Sequence, residues 1–79
     1  MNENDLLTLR IECTIFFQGN PYSFETEEGL AVRMGRKVEH IKPVLNELVN
    51  SSILERTGQG DRAIYRYVEP LFTDGTVLR

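Results

Sequence analysis

Up to residue 52 the apolar side chains of this chain recur every three or four positions, and from residue 53 onward they alternate. A period near 3.6 belongs to helices that bury one stripe, and a period of two to strands that bury one face. That single change of period restricts the fold to helices first and a β-hairpin last, an α+β arrangement. With 79 residues, about half the ~150 of an average domain, one domain is the ceiling. A lone cysteine, Cys13, excludes an intramolecular disulfide, and a two- or four-cysteine zinc site with it. Stability therefore has to come from packing the 41% of residues that are hydrophobic.

Three helical stretches are expected. Asn4 or Asp5 can cap the first, from Leu6 to about Gln18, which Gly19-Asn20-Pro21 stops. At about 100° per residue, Leu6, Leu9, Cys13, Phe16 and Phe17 share one arc as wide as a core-facing stripe. Leu7, Ile11 and Ile15 form a second stripe, separated from the first by Arg10 and Thr14 on one side. Tyr22-Ser23-Phe24 is a short extended link, a place for a short extra strand. Thr26 caps a second helix, Glu27 to Met34, with Glu27 and Glu28 complementing its positive end and Gly35 at the left-handed position that closes it. The third helix runs from Val38 to Asn50, with Ile41, Val44, Leu45 and Leu48 pointing inward. Strands follow at Ile53 to Arg56 and Ala63 to Val68, and Pro70 ends the hairpin. The domain is thus residues 1–70, with a tail of residues 71–79.

Charge bounds the function classes. The net charge is −3, but it is not evenly spread. Glu3, Asp5, Glu12 and Glu25 outweigh Arg10 at the start, residues 26–52 are balanced, and Arg56, Arg62 and Arg66 outweigh Glu55 and Asp61 in the hairpin. An acidic start and a neutral to slightly basic middle permit contact with a phosphate backbone without arguing for it. No apolar run approaches the ~18 residues of a membrane span, and MNENDLL carries acids where a secretion signal carries bases, so a cytoplasmic location is expected. No clustered catalytic groups stand out, so no enzyme and no cofactor are expected.

Helix, helix, short turn, helix and hairpin, with Thr26-Glu27-Glu28-Gly29-Leu30-Ala31, Met34-Gly35, Val44-Leu45, Leu48, Ile53-Leu54-Glu55-Arg56 and Tyr65-Arg66-Tyr67 in order, resembles the winged helix-turn-helix pattern. The nearest groups in kind are the arsenical-repressor-like and multiple-antibiotic-repressor-like bacterial regulators, and the resemblance covers about residues 6–68. It implies a third helix in the major groove and a hairpin wing on the adjacent backbone. By position, the contacts would be Arg36, Lys37, His40, Lys42, Asn46 and Arg62, with Asn46 able to read adenine and His40 able to meet a phosphate. Glu39 and Glu47 stand among the presented residues, and Pro43 removes a backbone donor inside the same helix. Those acids favour the other class of function, a protein-interaction module on the same scaffold.

Each sharper reading has a plain competitor. His40 lacks a second histidine, and zinc takes about four ligands, so an exposed helix histidine is the better reading and no metal is expected. Cys13 lies in the apolar arc and reads as a small core residue. Gly58-x-Gly60 follows a strand but precedes no helix, so it is a hairpin turn, not a phosphate loop. Tyr65 and Tyr67 read as the inward face of the second strand. The stripe Leu7-Ile11-Ile15 is covered either by Leu71, Phe72, Val77 and Leu78 of the tail or by a second copy in a symmetric dimer through the first helix, and we favour the dimer.

Overall fold

The Asn2 side-chain oxygen accepts from the Asp5 N–H at 2.9 Å and caps the first helix. The structure, a computed structural model, describes residues 2–69. Helix α1 spans Glu3–Gly19, so it starts three residues before the expected Leu6, capped by Asn2 and not by Asn4 or Asp5. All three residues of the stretch can cap, and the earliest was chosen, which places Glu3 and Asp5 in the first turn at the positive end of the helix. Leu9, Cys13 and Phe17 are fully buried and Phe16 is partly buried against them, whereas Leu6, expected in the same arc, is exposed, because it lies a turn short of the buried cluster that starts at Leu9.

Helix α2, Glu27–Met34, and helix α3, Val38–Asn50, have the expected bounds. The Thr26 hydroxyl accepts from the Gly29 N–H at 3.0 Å. Gly35 takes the left-handed conformation, φ +67°, and its N–H returns to the carbonyls of Ala31 and Val32. A β-carbon there would be strained in that backbone. Lys37 precedes α3 without a side-chain cap, and α3 runs on through Pro43, whose missing N–H leaves the Glu39 carbonyl without its helical partner. Ile41, Val44, Leu45 and Leu48 face inward against α1 and α2.

Strands β1, Leu54–Thr57, and β2, Ile64–Tyr67, pair antiparallel, with Leu54 opposite Tyr67 and Thr57 opposite Ile64. Each begins one residue later than the alternation indicates. A single 3₁₀ turn, Gly60–Arg62, shapes the loop between them. The extra strand expected at Tyr22-Phe24 is reduced to one bridge, and it falls at Glu25. Glu25 exchanges both backbone hydrogen bonds with Tyr65, at 3.0 and 2.7 Å. This bridge ties the link before α2 to the free side of β2. Tyr65 is buried and Tyr67 half-buried, while Ile64, Arg66 and Val68 face outward. The hairpin end at Pro70 and the tail 71–79 lie outside the described residues.

Cys13 is fully buried, and burial pushes its thiol from 9.0 to about 11, helped by Glu12 and opposed by Arg36. We expect it to resist a thiol reagent at neutral pH until urea unfolds the chain. The native state favours the neutral thiol. Below pH 9.0 folded and unfolded chains both keep the proton, so that stability is fully present. Above it the unfolded chain ionises first, and stability falls as pH climbs toward about 11. Unfolding free energies from urea titrations at about pH 8 and about pH 10.5 should differ by about 2 kcal/mol from this group. Tyr65, raised by burial against the opposing pull of Arg56, adds in the same direction. A Cys13→Ala variant should lose the thiol's share, and an equal pH dependence in that variant would rule the assignment out.

Candidate functional site

Burial of Ile41, Val44, Leu45 and Leu48 turns the opposite side of α3 outward. At about 100° per residue, Glu39, Pro43, Asn46 and Asn50 lie at the centre of that side. Lys42 falls on the flank nearer α2 and the hairpin, and His40 and Glu47 on the flank nearer α1. The six residues singled out in sequence therefore do not form one surface.

Lys42 and Asn46 do come together, with a residue the sequence reading left out. Arg56 of β1 donates from Nη1 to Asn46 Oδ1 at 2.9 Å, and its guanidinium lies over the Tyr65 ring, 5.5 Å from the centroid. With Oδ1 engaged, Asn46 presents its amide donors. Bidentate pairing with adenine would have to share or break the bond to Arg56. Lys42, Asn46 and Arg56 line one cleft with the hairpin loop Gly58–Asp61. Gly58 and Gly60 turn that loop with φ +93° and +66°. Arg62 ends the 3₁₀ turn, exposed at the hairpin tip.

Arg36 and His40 sit elsewhere. Arg36 Nη2 meets Glu12 Oε1 of α1 at 2.8 Å, an ion pair joining α1 to the turn before α3. His40 is half-buried, where exposure was expected, with Nε2 4.0 Å from Glu39 Oε2. Glu47, an objection to DNA in the sequence, is neutralised by Arg10 of α1 at 2.9 Å. Among the described residues no Lys or Arg stands within 4.0 Å of Glu39.

The ion pairs leave a pattern. Arg10, Arg33, Arg36, Lys42 and Arg66 each have a carboxylate within 4.0 Å. Among the described residues Lys37, Arg56 and Arg62 have none, and these stand at the start of α3 and in the hairpin. No family model, curated protein or solved structure matches this chain. Its function has to be argued from this geometry. Among the described residues no group of three or more His, Cys, Asp and Glu is placed to hold a metal, and no helix is long and apolar enough to cross a membrane.

Two buried acids were not anticipated. Glu25 lies under Arg33, Nε to Oε1 3.3 Å, and accepts from the Ser23 hydroxyl. Glu27, read in sequence as a complement to the helix dipole, is only 7% exposed, and its Oε2 faces the Tyr65 hydroxyl at 3.4 Å. Neither position carries a sequence signal for burial, because the residues that cover them come from other elements.

Proposed function

We propose that the chain binds double-stranded DNA as a transcriptional regulator or a regulator's accessory module, with α3 in the major groove and the hairpin on the adjacent backbone. The observation that carries this reading is the placement of the cations without acidic partners, Lys37, Arg56 and Arg62, at the start of α3 and in the hairpin, with Lys42 between them. Phosphate contacts position such a domain, and Asn46 beside them offers donors to base edges. Arg36 and His40, the other two residues of the resemblance, contribute less directly, since Arg36 is committed to Glu12. Binding through four cations predicts a slope of log affinity against log salt near −3.6, at ~0.9 per phosphate. Titrating the labelled chain with a mixed-sequence duplex at ~50 and ~200 mM salt should shift amides of residues 37–46 and 56–62, with affinity falling more than tenfold between the two. Absence of shifts at the lower salt removes the reading.

A second reading concerns a second copy of the chain. Leu7, Ile11 and Ile15 are 53%, 51% and 61% exposed along the outer side of α1. From Leu6 to Asn20 the only charged residues are Arg10 and Glu12, and both are turned to intramolecular partners, Glu47 and Arg36. The stripe is therefore an uncharged apolar row suited to pairing with itself, and a two-fold dimer through α1 would set two α3 helices on two half-sites. A solution mass of one chain at high micromolar concentration contradicts it.

A further inference from the structure

The cleft between α3 and the hairpin has a buried acid at its floor. Glu27 lies on its lining at the first position of α2, with Lys42, Asn46, Arg56, Tyr65 and the loop Gly58–Asp61 around it. Its Oε2 faces the Tyr65 hydroxyl, but Oε1 is buried without any hydrogen-bond partner. The nearest cation, Lys42 Nζ, stops at 4.0 Å, beyond hydrogen-bond length. A carboxylate oxygen held out of water without a donor is costly and rare in a folded chain. It calls for a donor supplied through the cleft.

The charges around it narrow what that donor belongs to. Glu27 and Asp61 are acidic, Lys42 and Arg56 basic, so the lining is formally neutral. A simple cation entering toward Glu27 is opposed by Lys42 and Arg56, and a simple anion is opposed by Glu27 and Asp61. A molecule carrying both signs meets complementary groups at both ends. The cleft measures about 410 Å³, toward the lower end of the ~300–1,000 Å³ of small-molecule sites. The walls are built rather than loose: Arg56 is fixed on Asn46 at 2.9 Å and over Tyr65, and Tyr65 is anchored by the backbone bridge to Glu25.

We propose that this cleft is a binding site for a small zwitterion of the amino-acid class: its ammonium takes the place of Lys42 Nζ beside Glu27 Oε1, which is closed to solvent with Lys42 at 4.0 Å, and its carboxylate is held by Arg56 and the displaced Lys42. Such binding stands on the cleft alone. Its consequence for DNA rests on the reading given above: Lys42, Asn46 and Arg56 serve both surfaces, so an occupied cleft withdraws them and lowers DNA affinity.

The test is a titration of the labelled full chain with each of the twenty common L-amino acids to about 10 mM, beside n-butylamine and sodium propionate as probes of one sign only. At least one amino acid should give saturable shifts at the amides of Glu27, Asn46 and residues 58–61, more than tenfold tighter than either single-sign probe. Glu27→Gln, close in shape but uncharged, and Lys42→Met, whose parent side chain is 54% exposed, should each weaken it more than tenfold. The proposal fails if no amino acid saturates, if the amine alone does as well, or if both folded variants bind like the parent chain. Repeating the duplex titration with the bound amino acid separates the two ideas. No duplex binding under any condition removes the DNA reading and leaves the ligand site standing, whereas duplex binding unaffected by a saturating amino acid removes only the competition.

Discussion

Phe17→Ala should lower the unfolding free energy by about 3–5 kcal/mol. Phe17 is fully buried near the end of α1 and meets Phe16 edge to face, ring centroids 5.3 Å apart. Truncation removes the ring's transfer free energy and leaves a hole among Leu9, Cys13 and the rest of the buried cluster. A chain of this length holds roughly 4–12 kcal/mol in total, at ~0.05–0.15 per residue. The loss is thus a large share of everything available, and no disulfide exists to soften it. At ~4–8 °C per kcal/mol for a domain of this size, the melting temperature should fall by about 12–40 °C. The comparison that gives this meaning is Ile15→Ala, two positions away in α1 but 61% exposed, which should stay within about 0.5 kcal/mol in the monomer. Urea unfolding followed by circular dichroism measures both. A Phe17→Ala loss below about 1 kcal/mol would mean that the core does not rest on α1.

The same contrast explains what was legible beforehand. Helix α2 had the right bounds because its start and stop signals are local, a threonine hydroxyl three residues from the amide it caps and a glycine where φ is +67°, whereas α3, uncapped at Lys37, followed from the helical spacing of Ile41, Val44, Leu45 and Leu48. The inward residues followed from period alone. The start of α1 did not, since Asn2, Asn4 and Asp5 can all cap a helix and no local signal ranks them. The short strand was placed at Tyr22-Phe24, whereas the bridge needs Tyr65 opposite it and forms at Glu25. At the candidate site the difference is larger. The pairs Arg36 with Glu12, Arg10 with Glu47 and Arg56 with Asn46 are separated by 24, 37 and 10 positions. No periodicity encodes them, yet they decide which cations are available and which way an asparagine presents its amide. Glu27 shows the limit most plainly. Its place at a helix start was readable, but its burial was not, because Tyr65 and the hairpin loop that enclose it arrive from the far end of the chain.

Ile11→Glu should separate the two copies of the proposed dimer while leaving each folded. Ile11 is the middle of the stripe, one turn from Leu7 and one from Ile15, so the row is about 12 Å long at 1.5 Å per residue. Two such rows can pair antiparallel about a two-fold axis, and the residue at the centre then lies beside its own copy. A glutamate there sets two carboxylates against each other within the interface and removes two apolar anchors. Like charges so placed cost several kcal/mol, so the dissociation constant should rise at least about a hundredfold, ~2.7 kcal/mol. In the monomer the same position is 51% exposed, and the unfolding free energy at low concentration should change by no more than about 0.5 kcal/mol. Sedimentation of parent and variant across a concentration series reads the first quantity and dilute urea unfolding the second. Parent and variant that share one monomer mass at every concentration would leave the stripe to another covering. A dimer that survives Ile11→Glu unchanged would place the two-fold contact on a different face. Loss of the dimer should also reduce DNA affinity beyond the effect of one added negative charge, because two α3 helices on one duplex act at high effective concentration and one alone does not.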